Sequence, residues 1–310
     1  MTKQVKIKAE SISNILYPIL PLIKRGMVHS TFDRSCNIFF DGQLIGIVPL
    51  EFGNNPNAIV LQYSQNEAPW TCFIKQGMLV EIDVNQILIG SIKIDLRNAN
   101  VWSPELILSF TGIKNKLTCL TTLIASVPNP SIFLKTSFDY FNEQSKSDLS
   151  SVYMRTKINF FIKNLLVKDI ECSQKELDVA TLDLVGLGYG LTPSGDDFLA
   201  GLVGTLNCFA KNQKISPILN GQIIKLNKVI YSILGTSKTN LISETLLANA
   251  LNGFLSETIG DFLRSLFKSH PDSKKNVAQK LEDLLSIGHS SGADFLAGIY
   301  IAIVKINNQS

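Results

Sequence analysis

The chain is short of the features that most quickly place a protein. Its 310 residues hold five cysteines (Cys36, Cys72, Cys119, Cys172 and Cys208), odd in number, widely scattered and without a Cys-x-x-Cys pair. With an N-terminal stretch that does not read as a secretory leader, this predicts free thiols in a reducing, cytoplasmic setting, not a disulfide framework. Neither the cysteines nor the three histidines fall at metal-ligand spacing. Charged residues make up only 18%, and the net charge of +3 is spread along the chain with no Lys/Arg block. That distribution argues against nucleic acid or a membrane surface as partner. The longest apolar stretches, such as Leu241 to Leu255, are broken by polar residues and fall short of the roughly 18 apolar residues of a membrane span. What is present is a 45% share of hydrophobic residues, ample for a core and at odds with disorder. The slightly positive mean hydropathy points to extensive burial or to an oligomer or partner face.

Two textures divide the chain. From about Met27 to Trp102 it reads as strands. Asn37–Phe40 leads through Asp41-Gly42, a hairpin turn signal, into Leu44–Val48. Further strands are expected at 78–84, 86–89 and 91–96, the last alternating apolar and polar residues as a half-buried antiparallel strand does. From Pro104 onward the period becomes helical, with helices expected at 105–125, 149–167, 174–184, 218–234, 241–254 and 274–285 and a break at Val127–Pro130. The expected class is α+β: a β-rich, barrel- or sandwich-like domain over 1–103, then an all-helical domain over 104–310.

One octapeptide occurs twice. Ser194-Gly195-Asp196-Asp197-Phe198-Leu199-Ala200-Gly201 matches Ser291-Gly292-Ala293-Asp294-Phe295-Leu296-Ala297-Gly298 at every position but the third. Each copy runs into an apolar helix, so two related helix starts are expected side by side, with Gly201 and Gly298 permitting close contact. Ser194 with Asp197, and Ser291 with Asp294, form the Ser-x-x-Asp variant of a capping box. Capping leaves the first copy incompletely explained, because Gly186-Leu187-Gly188-Tyr189-Gly190 precedes it. Such a glycine-rich run into a helix N-terminus is suited to an anion, held by converging N–H groups. The loop matches neither a Walker A sequence nor a dinucleotide fingerprint.

Asp196 is the informative position, since the second copy has Ala293 there. With Asp197 it is a candidate for holding magnesium through water and phosphate, or alone for accepting from an amide or acting as a base. A solvated first-turn aspartate, favoured by the helix dipole, is the alternative. On the functional reading, Asp196→Ala is expected to leave folding nearly intact and to damage ligand binding or turnover. Thr236, Ser237, Lys238, Thr239 and Asn240, with Ser243, are a second hydroxyl-lined anion contact or another helix cap. His289, with Ser290, Ser291 and Gly292, falls where Thr192 does in the first copy. Arg34 is able to bind a carboxylate bidentately, although a surface role fits it equally. No Ser-His-Asp triad follows from spacing.

The string Gly186 to Gly201 resembles the signature of the AllH-like family, and Ile287 to Asp294 resembles that family's C-terminal block. The segment 236–243 and Arg34 to Asn37 fit more loosely. The resemblance implies a subunit of an oxamate carbamoyltransferase of allantoin degradation, with other subunits as partners, transferring carbamoyl from carbamoyl phosphate to oxamate. Both substrates are small anions. The resulting expectation is a pocket in which Gly190, Thr192, Ser194, Gly195 and Asp197 hold phosphate or carboxylate, Asp196 orients an amide or a metal, and His289 and Ser291 line the facing side. A non-catalytic anion-binding or regulatory subunit and a purely structural subunit are the rival expectations.

Overall fold

The computed structural model describes residues 5–22, 24–63, 69–142, 152–166, 170–213, 215–267 and 273–308. It divides into two compact units. The first comprises 1–105 with 255–258, the second 106–254 with 259–310.

The first unit is a closed eight-stranded barrel with a ninth strand beside it. Its strands are β1 (Val5–Ser13), β2 (Arg25–Thr31), β3 (Cys36–Phe40), β4 (Gln43–Pro49), β5 (Ala58–Leu61), β6 (Leu79–Ile82), β7 (Gln86–Ile89), β8 (Ile92–Asp95) and β9 (Asn100–Trp102). The order is β5-β4-β3-β2-β6-β7-β8-β1-β9, and β1 pairs back onto β5 to close the ring. Asp41 (φ 43°) and Gly42 (φ 79°) make the expected two-residue turn between β3 and β4. Positive φ at both positions is what a primed turn requires. β8 alternates buried and half-buried residues as expected, but its pairing is mixed, antiparallel to β7 and parallel to β1. Strand β1 lies ahead of the segment that reads as strands. Its first half pairs with β8 and its second half with β9, while Ala9–Ile12 pair with β5 on the opposite edge. Inward side chains, among them Ile12, Ile38, Ile47, Ile59, Ile94 and Trp70, fill the interior.

The second unit is helical. Its described helices are α1 (Ile113–Ala125), α2 (Ile132–Asn142), α3 (Val152–Leu166), α4 (Ile170–Leu184), α5 (Ser194–Asn212), α6 (Pro217–Ile233), α7 (Leu241–Leu251), α8 (Glu257–Phe267), α9 (Ser273–Leu285) and α10 (Ser291–Asn307). Helices α5 and α10 form its centre. Every residue from Gly195 to Phe209 is buried, as is every residue from Asp294 to Ile306, the pattern of helices covered on all sides.

Three helix expectations are corrected. The helix expected from Glu105 begins only at Ile113, after Gly112 in the left-handed region. Ahead of it, Leu106, Leu108 and Phe110 are buried while Ile107 is 88% exposed. That period of two belongs to an extended segment, which packs through Phe110 on Phe209 and Phe267 and through the Leu106 carbonyl on Asn212. Helix α7 stops at Leu251, because Gly253 (φ 64°) turns the chain beside Cys208. Helices α2 and α8 lie where no helix was expected. The segment expected at 149–167 corresponds to α3, with 149–151 and 167 outside the described residues. No helix among the described residues is long and apolar enough to cross a membrane.

Cys36, Cys72, Cys119 and Cys208 are free thiols, and the side chain of Cys172 lies outside the described residues. Burial pushes Cys36 up to about 12 and Cys208 to about 11, so both stay protonated and unreactive.

Candidate functional site

The two octapeptides meet in the second unit. Helices α5 and α10 cross one turn into each, and glycine makes the crossing possible. A Cβ on Gly201 would stand 2.3 Å from the Phe295 carbonyl oxygen, and one on Gly298 would stand 2.1 Å from the Phe198 carbonyl oxygen. The relation is reciprocal, since Phe198 and Gly201 occupy the repeat positions of Phe295 and Gly298. The helix starts are equally tight. A Cβ on Gly195 would reach 1.9 Å from the Leu184 carbonyl oxygen, and one on Gly292 would reach 2.0 Å from that of Leu284. Leu187 N–H bonds the Leu184 carbonyl, and Ile287 N–H bonds that of Leu284. Gly195 N–H then bonds the Leu187 carbonyl at 2.8 Å, and Gly292 N–H that of Ile287 at 3.0 Å. The repeat is therefore a helix–turn–helix unit, α4–α5 and α9–α10, with the first turn longer by the residues of the glycine-rich loop.

Two expectations at these starts are overturned. The expected capping boxes do not form. The residues at the N-cap positions are Pro193 and Ser290, neither with a side-chain cap bond, and Ser194 and Ser291 are already helical. The serine hydroxyls serve the opposite helix instead. Ser291 faces Asp197, and Ser194, with Ser131 and Ser290, faces Asp294. The α5 start is also not a free cradle of N–H groups. Gly195 N–H is taken by Leu187, and the N–H groups of Asp196 and Asp197 both go to the Pro193 carbonyl, at 2.9 and 3.2 Å.

What the crossing holds is carboxyl groups. Asp196, Asp197 and Asp294 are all buried, at 0–1% exposure. The Asp196 carboxylate is no solvated helix-start group. It accepts from Gly186 N–H at 2.9 Å and from the Thr239 hydroxyl at 2.5 Å, joining the glycine-rich loop to the turn before α7. Asp197 accepts from the Thr192 hydroxyl at 3.0 Å, and Thr192 Oγ1 lies 3.4 Å from Ser291 Oγ. The hydroxyls of Ser131, Ser194 and Ser290 surround Asp294, and that of Ser243 stands by Asp196. Burial raises all three acids, opposed by the surrounding hydroxyls. Asp197 reaches about 7, with the charges of Asp294 and Asp196 adding to the rise.

The remaining expected residues separate. Thr239 belongs to this cluster, whereas Thr236 bonds the Ile233 carbonyl at the end of α6 and Ser237 is exposed at a positive-φ turn. Asn240 caps α7 through Ile242 and Ser243 N–H, as the cap reading of this segment has it, and ties in the loop through the Leu191 carbonyl. Asn is a preferred N-cap, so that role was open to reading. His289 and Gly190 are exposed beside the cluster, and Tyr189 at the loop tip is 95% exposed. Arg34 lies in the barrel unit, paired with Glu51 at 2.5 Å and placed over the Phe52 ring. Among the described residues, no three His, Cys, Asp or Glu side chains converge as a metal cage. Asp196 and Asp197 point to different partners.

A family model described as oxamate carbamoyltransferase subunit AllH matches residues 184–303, and a model of the AllH family N-terminal domain matches 6–101. No solved structure matches the chain.

Proposed function

Since the chain belongs to the AllH family, we propose that it serves as one subunit of an oxamate carbamoyltransferase and contributes the α5–α10 crossing to its substrate site. In the reaction, the oxamate amide nitrogen bonds to the carbamoyl carbon of carbamoyl phosphate, the carbon–oxygen bond to phosphate breaks, and oxalurate and phosphate leave. The observation that carries this reading is the meeting of the buried Asp197 and Asp294 carboxyls with the hydroxyls of Thr192, Ser194 and Ser291 where the two repeat copies cross. An amide NH2, present on both substrates, is a donor suited to such carboxyl oxygens. Thr192 and Ser291 are placed to donate hydroxyl bonds to the anionic end. Asp196 acts as a positioning residue, holding the glycine-rich loop against the turn at Thr239. His289, exposed at the neighbouring turn, is the candidate for exchanging a proton with the substrate. Catalysis rests on orientation and electrostatic stabilisation.

A purely structural role for the crossing is favoured by the complete burial of its carboxyls and the internal use of its N–H groups. The test is turnover of carbamoyl phosphate with oxamate by the complete assembly of this chain and its partner subunits. Asp197→Asn and Ser291→Ala are expected to assemble normally and to lower kcat/KM by about ten- to a hundredfold, the loss of one or two charge-assisted contacts. Full turnover by an assembly lacking this chain, or by both variants, defeats the proposal.

A further inference from the structure

A separate cavity of about 320 Å³ opens between α2 and α3, and it shares no lining residue with the carboxyl cluster. Arg155, Asn159 and Lys163 line one wall. Their spacing of four places all three on one face of α3. Thr136, Asp139 and Tyr140 line the other wall, from α2. Two features mark it as more than a surface crease. Thr136 is 2% exposed, and its hydroxyl has no partner among the described residues. One Asp139 carboxyl oxygen is likewise buried without a partner. The charge balance is cationic. Arg155 and Lys163 stand on the wall, Lys135 and Arg155 both act on Asp139, and burial raises Asp139, the acidic side chain among the described lining residues. The volume lies at the small end of the range for metabolite sites.

We infer that the α2–α3 cavity binds a small phosphate- or carboxylate-bearing anion that also carries a hydrogen-bond donor. The guanidinium of Arg155 and the ammonium of Lys163 take the anionic group, and Thr136 and Asp139 take the polar remainder. This assignment is independent of the carbamoyltransferase reading. It places cationic anion recognition on α3, whereas the start of α5 is occupied by carboxyl groups.

The experiment is calorimetric titration of the full chain with inorganic phosphate and, separately, with oxamate, paired with amide hydrogen exchange at saturation. At least one anion is expected to bind and to slow exchange in 132–142 and 152–166. The Arg155→Gln/Lys163→Gln double variant is expected to weaken that binding at least about tenfold, the loss of one charge-assisted contact. A response to phosphate alone assigns a phosphate-bearing ligand, and a response to oxamate alone a carboxylate bearing an amide donor. The inference is overturned if neither anion binds by about 10 mM, weaker than any specific site of this kind. It is equally overturned if the double variant binds unchanged, or if protection falls on 186–197 and 288–294 with none on 132–142 and 152–166. Should the double variant fold poorly, the exchange footprint on the unaltered chain decides alone.

Discussion

Asp196 and Asp197 are adjacent in sequence yet differ in what they hold. Asp196 carries two hydrogen bonds from separate loops, so Asp196→Ala strands a backbone N–H and a hydroxyl. A loss of about 1–3 kcal/mol is expected in urea unfolding, with Asp196→Asn recovering part of it. Unchanged stability of Asp196→Ala would show that the two bonds contribute nothing net. Asp197 predicts a pH dependence. Its carboxyl lies near 7 in the folded chain, against 3.8 for an ordinary aspartate. The folded state thus keeps a proton that the unfolded chain releases. The resulting stability is full below about pH 4, falls as pH rises towards 7, and levels off above it. Asp197→Asn is neutral throughout and removes this fall. Urea melts at pH 5 and pH 8 should show the parent losing more stability than the variant, and equal losses would contradict the placement of that carboxyl.

Among the elements, α5 and α10 depend on backbone approach. Gly201→Ala and Gly298→Ala each force a methyl group onto a carbonyl of the facing helix. Overpacking of this kind costs about 1–3 kcal/mol, and more where only backbone is available to yield. Both substitutions strain one crossing, so the helices need separate only once. The double variant is therefore expected to lose less than the sum of the single losses, by about 0.5–3 kcal/mol in a double-mutant cycle. Strict additivity would mean that the two glycines act at independent contacts. The near-identity of the octapeptides made the pairing of these helices legible. The Ser-x-x-Asp pattern was legible as well, but its spacing suits a bond within one helix. Only the crossing shows that each serine faces the other helix's aspartate.

The barrel poses its question at the scale of a whole unit. Here Ala9–Ile12 pair with β5 and close the ring, so both edges of β1 are occupied. Amide exchange at Ile12 is therefore expected to be as slow as at Ile45 in β4, with all slow amides of the barrel lost together on unfolding. Fast exchange at Ile12 beside slow exchange at Ile45 would mean that the barrel opens at the β1–β5 seam.

The sequence by itself determined the class, the β3–β4 turn, most of the helices and the side-by-side helix starts. These follow from periodicity, turn chemistry and a direct repeat, all of which are local. Segment 105–112 was misread because Leu106, Leu108 and Phe110 are too short a run to separate a period of two from a helical one once a helix follows. Tertiary structure alone decided that β1 closes a barrel, since strand pairing across some fifty residues leaves no local trace. It also decided the character of the helix starts. An anion cradle and a carboxyl cluster share the same glycines and the same helix N-terminus, and the difference is where the N–H groups go. At α5 they are spent on Leu187 and Pro193, and Asp197 faces Ser291 and Asp294 of the second copy, brought there from about a hundred residues away.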